Sequence, residues 1–167
     1  DLEQFLRDPY GSGIQRVLQA LAHHWPVGVP VHFLVPDPDD DDLLVQMGSD
    51  EADRLISLAF SVTASDESKR HEILGAVRGS DSPRISQTAL SDQYSHWFLP
   101  EVSYLPRVLE RFSNAKQTMK TLMIGYDILP MSEPANYRFD PGTAAWVSEY
   151  FRMLATADAI ACISEHS

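Results

Sequence analysis

Apolar residues recur at three- and four-residue spacing at Ile14, Val17, Leu18, Leu21 and Trp25, with Gln15, Arg16 and Gln19 between them. A period near 3.6 gathers the apolar set on one side, so the segment predicts an amphipathic helix. After Gly28 the run Val31-His32-Phe33-Leu34-Val35, closed by Pro36, is rich in β-formers and predicts a strand. Residues 37–42 are nearly all acid and predict an exposed loop. Helical spacing returns over 50–61 through Ala52, Leu55, Ile56, Ala59 and Phe60, and a weaker helical pattern covers 66–77.

Residues 79–95 are rich in Ser, Asp and Gln and predict a loop with one short strand near 85–89. Leu105, Val108, Leu109 and Phe112 then fit a helix, for which Pro106 is a good first-turn residue. Residues 121–124 predict a buried strand that Gly125 ends. The clearest helix start is Asp140 as N-cap with Pro141 at the first helical position, followed by Trp146, Tyr150, Met153, Leu154 and Ala157. Residues 159–163 predict a final buried strand, and Ser164-Glu165-His166-Ser167 the capped start of another helix. A strand that hands over to an unbuilt helix sets the expectation that these residues are one portion of a larger enzyme.

Alternating helices and short apolar strands predict an α/β fold, a Rossmann-like layered domain with a mainly parallel sheet flanked by helices. With 167 residues, 44% of them hydrophobic, one domain over residues 1–167 is expected. Ligands of such sheets sit at the carboxyl ends of the strands, which singles out the loops at 8–13, 126–133 and 164–167.

The charge balance narrows the partners. A net charge of -11, from 24 acidic against 13 basic residues, disfavours nucleic acid and broad adhesion to anionic lipid. The single cysteine, Cys162, has no internal disulfide partner and reads as a small buried thiol, which favours a reducing, cytoplasmic setting. No stretch reaches the length of a membrane span, and the first residues do not read as an export signal. His23, His24, His32, His71 and His96 lack metal-ligand spacing, and the acid run 37–42 lacks that of a calcium loop, so no metal and no cofactor are expected.

Three short motifs carry candidate chemistry. Gly11-Ser12-Gly13-Ile14-Gln15-Arg16 opens the first helix, where glycines admit close backbone approach and helix N–H groups attract phosphate; a flexible turn explains the same residues. It is neither the dinucleotide fingerprint nor a Walker loop. Gly125-Tyr126-Asp127-Ile128-Leu129-Pro130 follows a strand, so Asp127 can orient a substrate hydroxyl or simply shape a turn. Ser164, Glu165 and His166 offer a hydroxyl, a carboxylate and an imidazole after the last strand, or an ordinary cap with an acidic first turn.

In this order, Gly11-Ser12-Gly13-Ile14-Gln15-Arg16-Val17, Tyr126-Asp127-Ile128-Leu129-Pro130 and residues 158–167 resemble the N-terminal domain of a GT-B-fold retaining glycosyltransferase of the family 4-like kind. The resemblance implies sugar transfer from a nucleotide-sugar donor to an acceptor hydroxyl on a sugar, a lipid-linked molecule or a protein. It implies that Gly11, Ser12 and Gly13 approach the donor diphosphate, with Arg16 following on the helix. Asp127 and Tyr126 would be the catalytic pair, Tyr126 standing where many members have His, with Pro130 closing that loop. Ser164 and Glu165 would lie where the chain turns toward a C-terminal domain, without which activity is not expected. Two departures stand out: Tyr is no base near neutral pH, and residues 1–8 hold no convincing counterpart of the family's opening strand. Peripheral contact with the inner membrane surface is compatible with this picture. The alternative from another class is a non-catalytic α/β module that binds a phosphorylated ligand or a protein partner. A two-domain nucleotide-sugar epimerase would share the same features.

Overall fold

The computed structural model describes residues 1–7, 13–61, 66–126 and 141–163. They form a mixed α/β structure in two compact units, Asp1–Leu90 and Ser91–Ser167, each with its own three-stranded sheet.

The first unit opens with a short helix, α1 (Glu3–Arg7), where the resemblance would have a strand. The Asp1 carboxylate accepts the Glu3 N–H at 3.0 Å, which answers one of the orphan donors of a helix start. Leu2 and Phe5 bury completely, and the Leu2 N–H reaches the Leu34 carbonyl at 2.9 Å. Helix α2 (Gly13–His23) follows, then strands β1 (Phe33–Pro36) and β2 (Leu43–Met47), helices α3 (Ser49–Ser61) and α4 (Asp66–Arg78), and strand β3 (Arg84–Ser86). α2 packs on α3 and α3 on α4. Leu18, Val35, Val45, Ile56, Ile73 and Val77 meet in the core, drawn from three helices and a hairpin.

This first sheet runs β1-β2-β3 and is antiparallel throughout, with Phe33 opposite Met47 and Leu44 opposite Ile85. The parallel arrangement expected from the alternation of elements does not extend to it. For β1 and β2 the physical reason lies in residues 37–42: so short a link closes a hairpin and cannot carry a crossover helix. The acid run is an organised hairpin loop. Asp37 accepts the Asp39 N–H and Asp40 the Asp42 N–H, while Arg78 holds Asp39 and Arg84 holds Asp37. These contacts, the Asp39 N–H foremost and Arg84 after it, hold the Asp37 carboxyl below its ordinary pKa.

A 3-10 turn at Gln87–Ala89 and the short helix α5 (Leu90–Gln93) precede the second unit's sheet. There β4 (His96–Leu99), α6 (Pro106–Ala115), β5 (Lys120–Gly125), α7 (Pro141–Leu154) and β6 (Ala159–Cys162) alternate, and the strands pair in parallel in the order β4-β5-β6. Registers join Trp97 to Thr121 and Met123 to Ile160. Val108, Leu109 and Phe112 of α6 are buried, and α6 packs on β4, β5 and α7. The second unit therefore has the small parallel sheet flanked by helices that the sequence predicts.

Strand β6 departs from expectation. All four of its residues are exposed, as are Ile163 and the Cys162 thiol, so neither the buried strand nor the buried cysteine holds. The apolar pattern was read correctly as a strand, but among the described residues β6 pairs only with β5, and it is exposed along its length. No helix among the described residues is long and apolar enough to cross a membrane.

Candidate functional site

The carboxyl ends of the parallel strands are the place where this architecture gathers ligand-binding groups. β5 ends at Gly125 and the next residue is Tyr126, which is 7% exposed. Its hydroxyl donates to the Pro100 carbonyl, just past the end of β4. From α7, the buried Tyr150 hydroxyl donates to the Ile124 carbonyl at 3.1 Å. Two phenols thus tie the end of β5 to its neighbours, one sideways to β4 and one upward to a helix.

Burial pushes both phenols well above their ordinary pKa, and for Tyr126 the nearby Tyr150 and Glu101 add to the effect. Tyr126 is therefore a neutral hydrogen-bond donor in this structure, and its donor is engaged by backbone. That arrangement positions the segment after β5.

Glu101 is the residue that the sequence reading missed. It lies two positions after β4, is 4% exposed, and sits close enough to Tyr126 to raise its pKa. A buried carboxylate at the carboxyl end of a parallel strand marks a functional position more strongly than an exposed one does. The signal was present: Trp97-Phe98-Leu99-Pro100-Glu101 repeats the form of Met123-Ile124-Gly125-Tyr126-Asp127, an apolar run closed by an acid. Along the chain, an acid follows each parallel strand within three residues, Glu101 after β4, Asp127 after β5 and Glu165 after β6. Nearby in sequence, Ser103 is fully buried and its hydroxyl accepts the Leu105 N–H at 3.3 Å, while Trp97 holds its indole N–H buried with no hydrogen-bond partner among the described residues.

The other expected site residues fall as follows. Gly13 is the first residue of α2, and Arg16 is exposed on that helix; both belong to the first unit. Tyr126 belongs to the second. Gly11, Ser12, Asp127, Pro130, Ser164 and Glu165 lie outside the described residues. The chain just before Asp127 and the chain just before Ser164 meet at one place: the Ile163 N–H donates to the Gly125 carbonyl at 3.3 Å, so the chain leaves β6 beside the point where it leaves β5.

Gly125 itself permits this closeness. A Cβ there would meet Ile160 Cγ2 at 3.1 Å and Cys162 Sγ at 3.8 Å. Among the described residues no cluster of three or more His, Cys, Asp or Glu is arranged to hold a metal ion. No family model, no curated protein and no solved structure matches the chain.

Proposed function

We propose that the chain is the acceptor-side portion of a nucleotide-sugar-dependent glycosyltransferase of Rossmann-like, GT-B architecture, working in the cytoplasm. The observation that carries the reading is the succession of acids after the parallel strands, with buried Glu101 beside Tyr126 at one end of the sheet. Carboxylates accept hydrogen bonds from hydroxyls and repel phosphate, so this rim suits a sugar acceptor better than a donor diphosphate. Asp127 would orient the acceptor hydroxyl, with Pro130 shaping its loop, and Ser164 and Glu165 would add contacts where the chain leaves β6. Tyr126 would act by positioning, through its hold on Pro100. Gly11, Ser12, Gly13 and Arg16 would face the diphosphate, while a C-terminal domain would supply the main donor contacts and the charge stabilisation that dominates such chemistry. The acceptor would be a sugar, a lipid-linked molecule or a protein.

The engaged Tyr126 hydroxyl favours one second reading, a non-catalytic α/β module that binds a ligand or protein through the same loops. Ligand-observed NMR against panels of saccharides and nucleotide sugars, together with a transfer assay on residues 1–167, tests the acceptor-side assignment, and a transfer assay on a chain that includes the C-terminal domain separates the two readings. Saccharide binding that weakens in Glu101→Gln and Asp127→Asn, with no transfer by this portion alone, is the expected result. Full transfer activity without any second domain would overturn the half-enzyme assignment. Nucleotide binding with no saccharide binding would overturn the acceptor-side one.

A further inference from the structure

The loop between β4 and α6, residues 100–105, leaves the sheet at the carboxyl end of its parallel strands and is fastened at several points along its length. At its start the Pro100 carbonyl accepts the Tyr126 hydroxyl. Glu101, Ser103 and Leu105 are 4%, 0% and 4% exposed, so alternate residues turn inward as they do in an extended segment. The Ser103 hydroxyl accepts the Leu105 N–H at 3.3 Å, and Leu105 takes the extended φ -75° and ψ 124° that suit a residue before proline, here Pro106 at the head of α6. Between buried Ser103 and buried Leu105 stands Tyr104, the loop's one aromatic residue, which is 39% exposed.

An aromatic ring on a loose chain makes a poor contact, because ordering the chain consumes what the ring gains. Here the backbone on both sides of Tyr104 is already held, and a tyrosine has two side-chain torsions left to fix. The ring therefore reaches solvent from a rigid base, on a loop at the end of the sheet where ligands gather.

We propose that Tyr104 is a stacking platform for a pyranose ring of the acceptor, and that it selects sugars whose axial C–H bonds gather on one face. The inference rests on the acceptor-side reading and names the part of the acceptor that this loop reads. The face of an aromatic ring carries partial negative charge, and the axial C–H bonds of a β-glucoside or β-galactoside present weakly positive hydrogens in a plane that matches it. The equatorial hydroxyls of such a sugar point outward from that plane, where polar groups can receive them; an apolar platform with a few polar groups is the ordinary make-up of a small-molecule site. Two other ligands fit the ring less well. A nucleobase stacks on tyrosine, but a nucleotide brings phosphates, which a chain of net charge -11 and the acid of the same loop, Glu101, both repel. An acyl chain gains no more from a tyrosine than from a leucine, and it offers no hydroxyls to the acids that follow the strands.

The test is ligand-observed NMR of the chain with methyl β-D-glucopyranoside, methyl β-D-galactopyranoside, the open-chain polyol sorbitol and uridine diphosphate. Both glycosides should bind, with saturation transfer strongest at their axial ring protons and upfield ring-current shifts at the same protons. Sorbitol holds no fixed apolar face and should bind about fivefold more weakly or not at all. Tyr104→Ala and Tyr104→Leu should each lower glycoside affinity about fivefold to tenfold and abolish the upfield shifts, while Tyr104→Trp should bind at least as well as the parent. The leucine variant keeps apolar bulk at the position, so a parent-like thermal midpoint in that variant separates lost stacking from lost folding. Glycoside binding that Glu101→Gln weakens and Tyr104→Leu leaves unchanged would overturn the platform and keep the acceptor-side reading. Equal binding of sorbitol and the glycosides would do the same. No glycoside binding by the parent would overturn both. Uridine diphosphate binding that Tyr104→Leu abolishes would make the ring a contact for the donor base and overturn the proposal.

Discussion

Asp158 and Thr121 hold each other in both directions. The Thr121 N–H and hydroxyl each donate to Asp158 Oδ2 at 2.9 Å, and the Asp158 N–H donates back to Thr121 Oγ1 at 3.2 Å. Lys120 Nζ adds a contact to Oδ1 at 3.1 Å. This knot lies at the start of β5 and just before β6, at the opposite end of the sheet from Tyr126, and it sets the register in which Leu122 faces Ala159. It is a structural device, placed where stability is decided and away from the proposed ligand rim.

The knot makes stability depend on acid. The Thr121 N–H, then Lys120 and the Thr121 hydroxyl, lower the Asp158 pKa from 3.8 to about 2. A carboxyl with a depressed folded pKa stabilises the fold fully above its unfolded value and loses that contribution as pH falls through the folded one. The difference in thermal midpoint between the parent and Asp158→Asn should thus be constant above pH about 4 and shrink toward pH about 2. Thr121→Val, which deletes a fully buried hydroxyl from the knot, should cost about 1–2 kcal/mol in urea denaturation.

The two buried phenols set a limit at the alkaline side. Their raised pKa values mean that folding favours the neutral phenol, so their contribution is complete below pH about 10 and falls as pH rises beyond it. In a spectrophotometric titration Tyr126 and Tyr150 should ionise only as the second unit unfolds. Tyr126→Phe and Tyr150→Phe should each remove one phenol from that late step and lower stability by about 1–2 kcal/mol.

Gly125 should resist replacement by anything branched. In Gly125→Ala the new methyl group presses on Ile160, whose exposed side chain can turn aside, and a loss of about 1 kcal/mol is expected. Gly125→Val leaves no such escape from Ile160 and Cys162 together and should cost more, about 2–3 kcal/mol, read as a lower denaturation midpoint.

Among the described residues the exposed strand β6 is the edge of its sheet, and a hazard there. Ile160 is 45% exposed and Ile163 55%, in a run without charge. Edge strands of this kind recruit other chains. Ile160→Lys should leave the denaturation midpoint within about 0.5 kcal/mol of the parent and slow aggregation on storage, followed by light scattering.

Much of the fold could be read from spacing alone. α2, α3, α4, α6 and α7 announced themselves through apolar periodicity, and Pro106 and Pro141 marked two starts. β5 was legible because residues 121–124 form a short, largely apolar run that Gly125 ends. β2 and β4 were not, because each is short and draws its identity from a distant partner: Leu44 is a strand residue through Ile85 as much as through Pro36, and Leu99 through Met123. Local pattern also cannot say which strand is covered, and that is how Cys162 was placed inside when it lies outside. At the candidate site, Tyr126 was found by its place after β5, while Glu101 was passed over because β4 had not been seen, and an acid gains meaning only from the strand it follows.

The antiparallel hairpin in the first unit also carries a consequence for the order of events during folding. Pro36 and Leu44 are near neighbours along the chain, so β1 and β2 can zip together from their acid loop before anything else is in place, on the microsecond scale of an isolated hairpin. Every pairing in the second sheet has to wait for a whole helix to be wound between its strands, because Leu122 meets Ala159 only across α7. The larger closure entropy slows that step. A nascent chain would therefore display one finished hairpin while the strand ends around Tyr126 were still unformed.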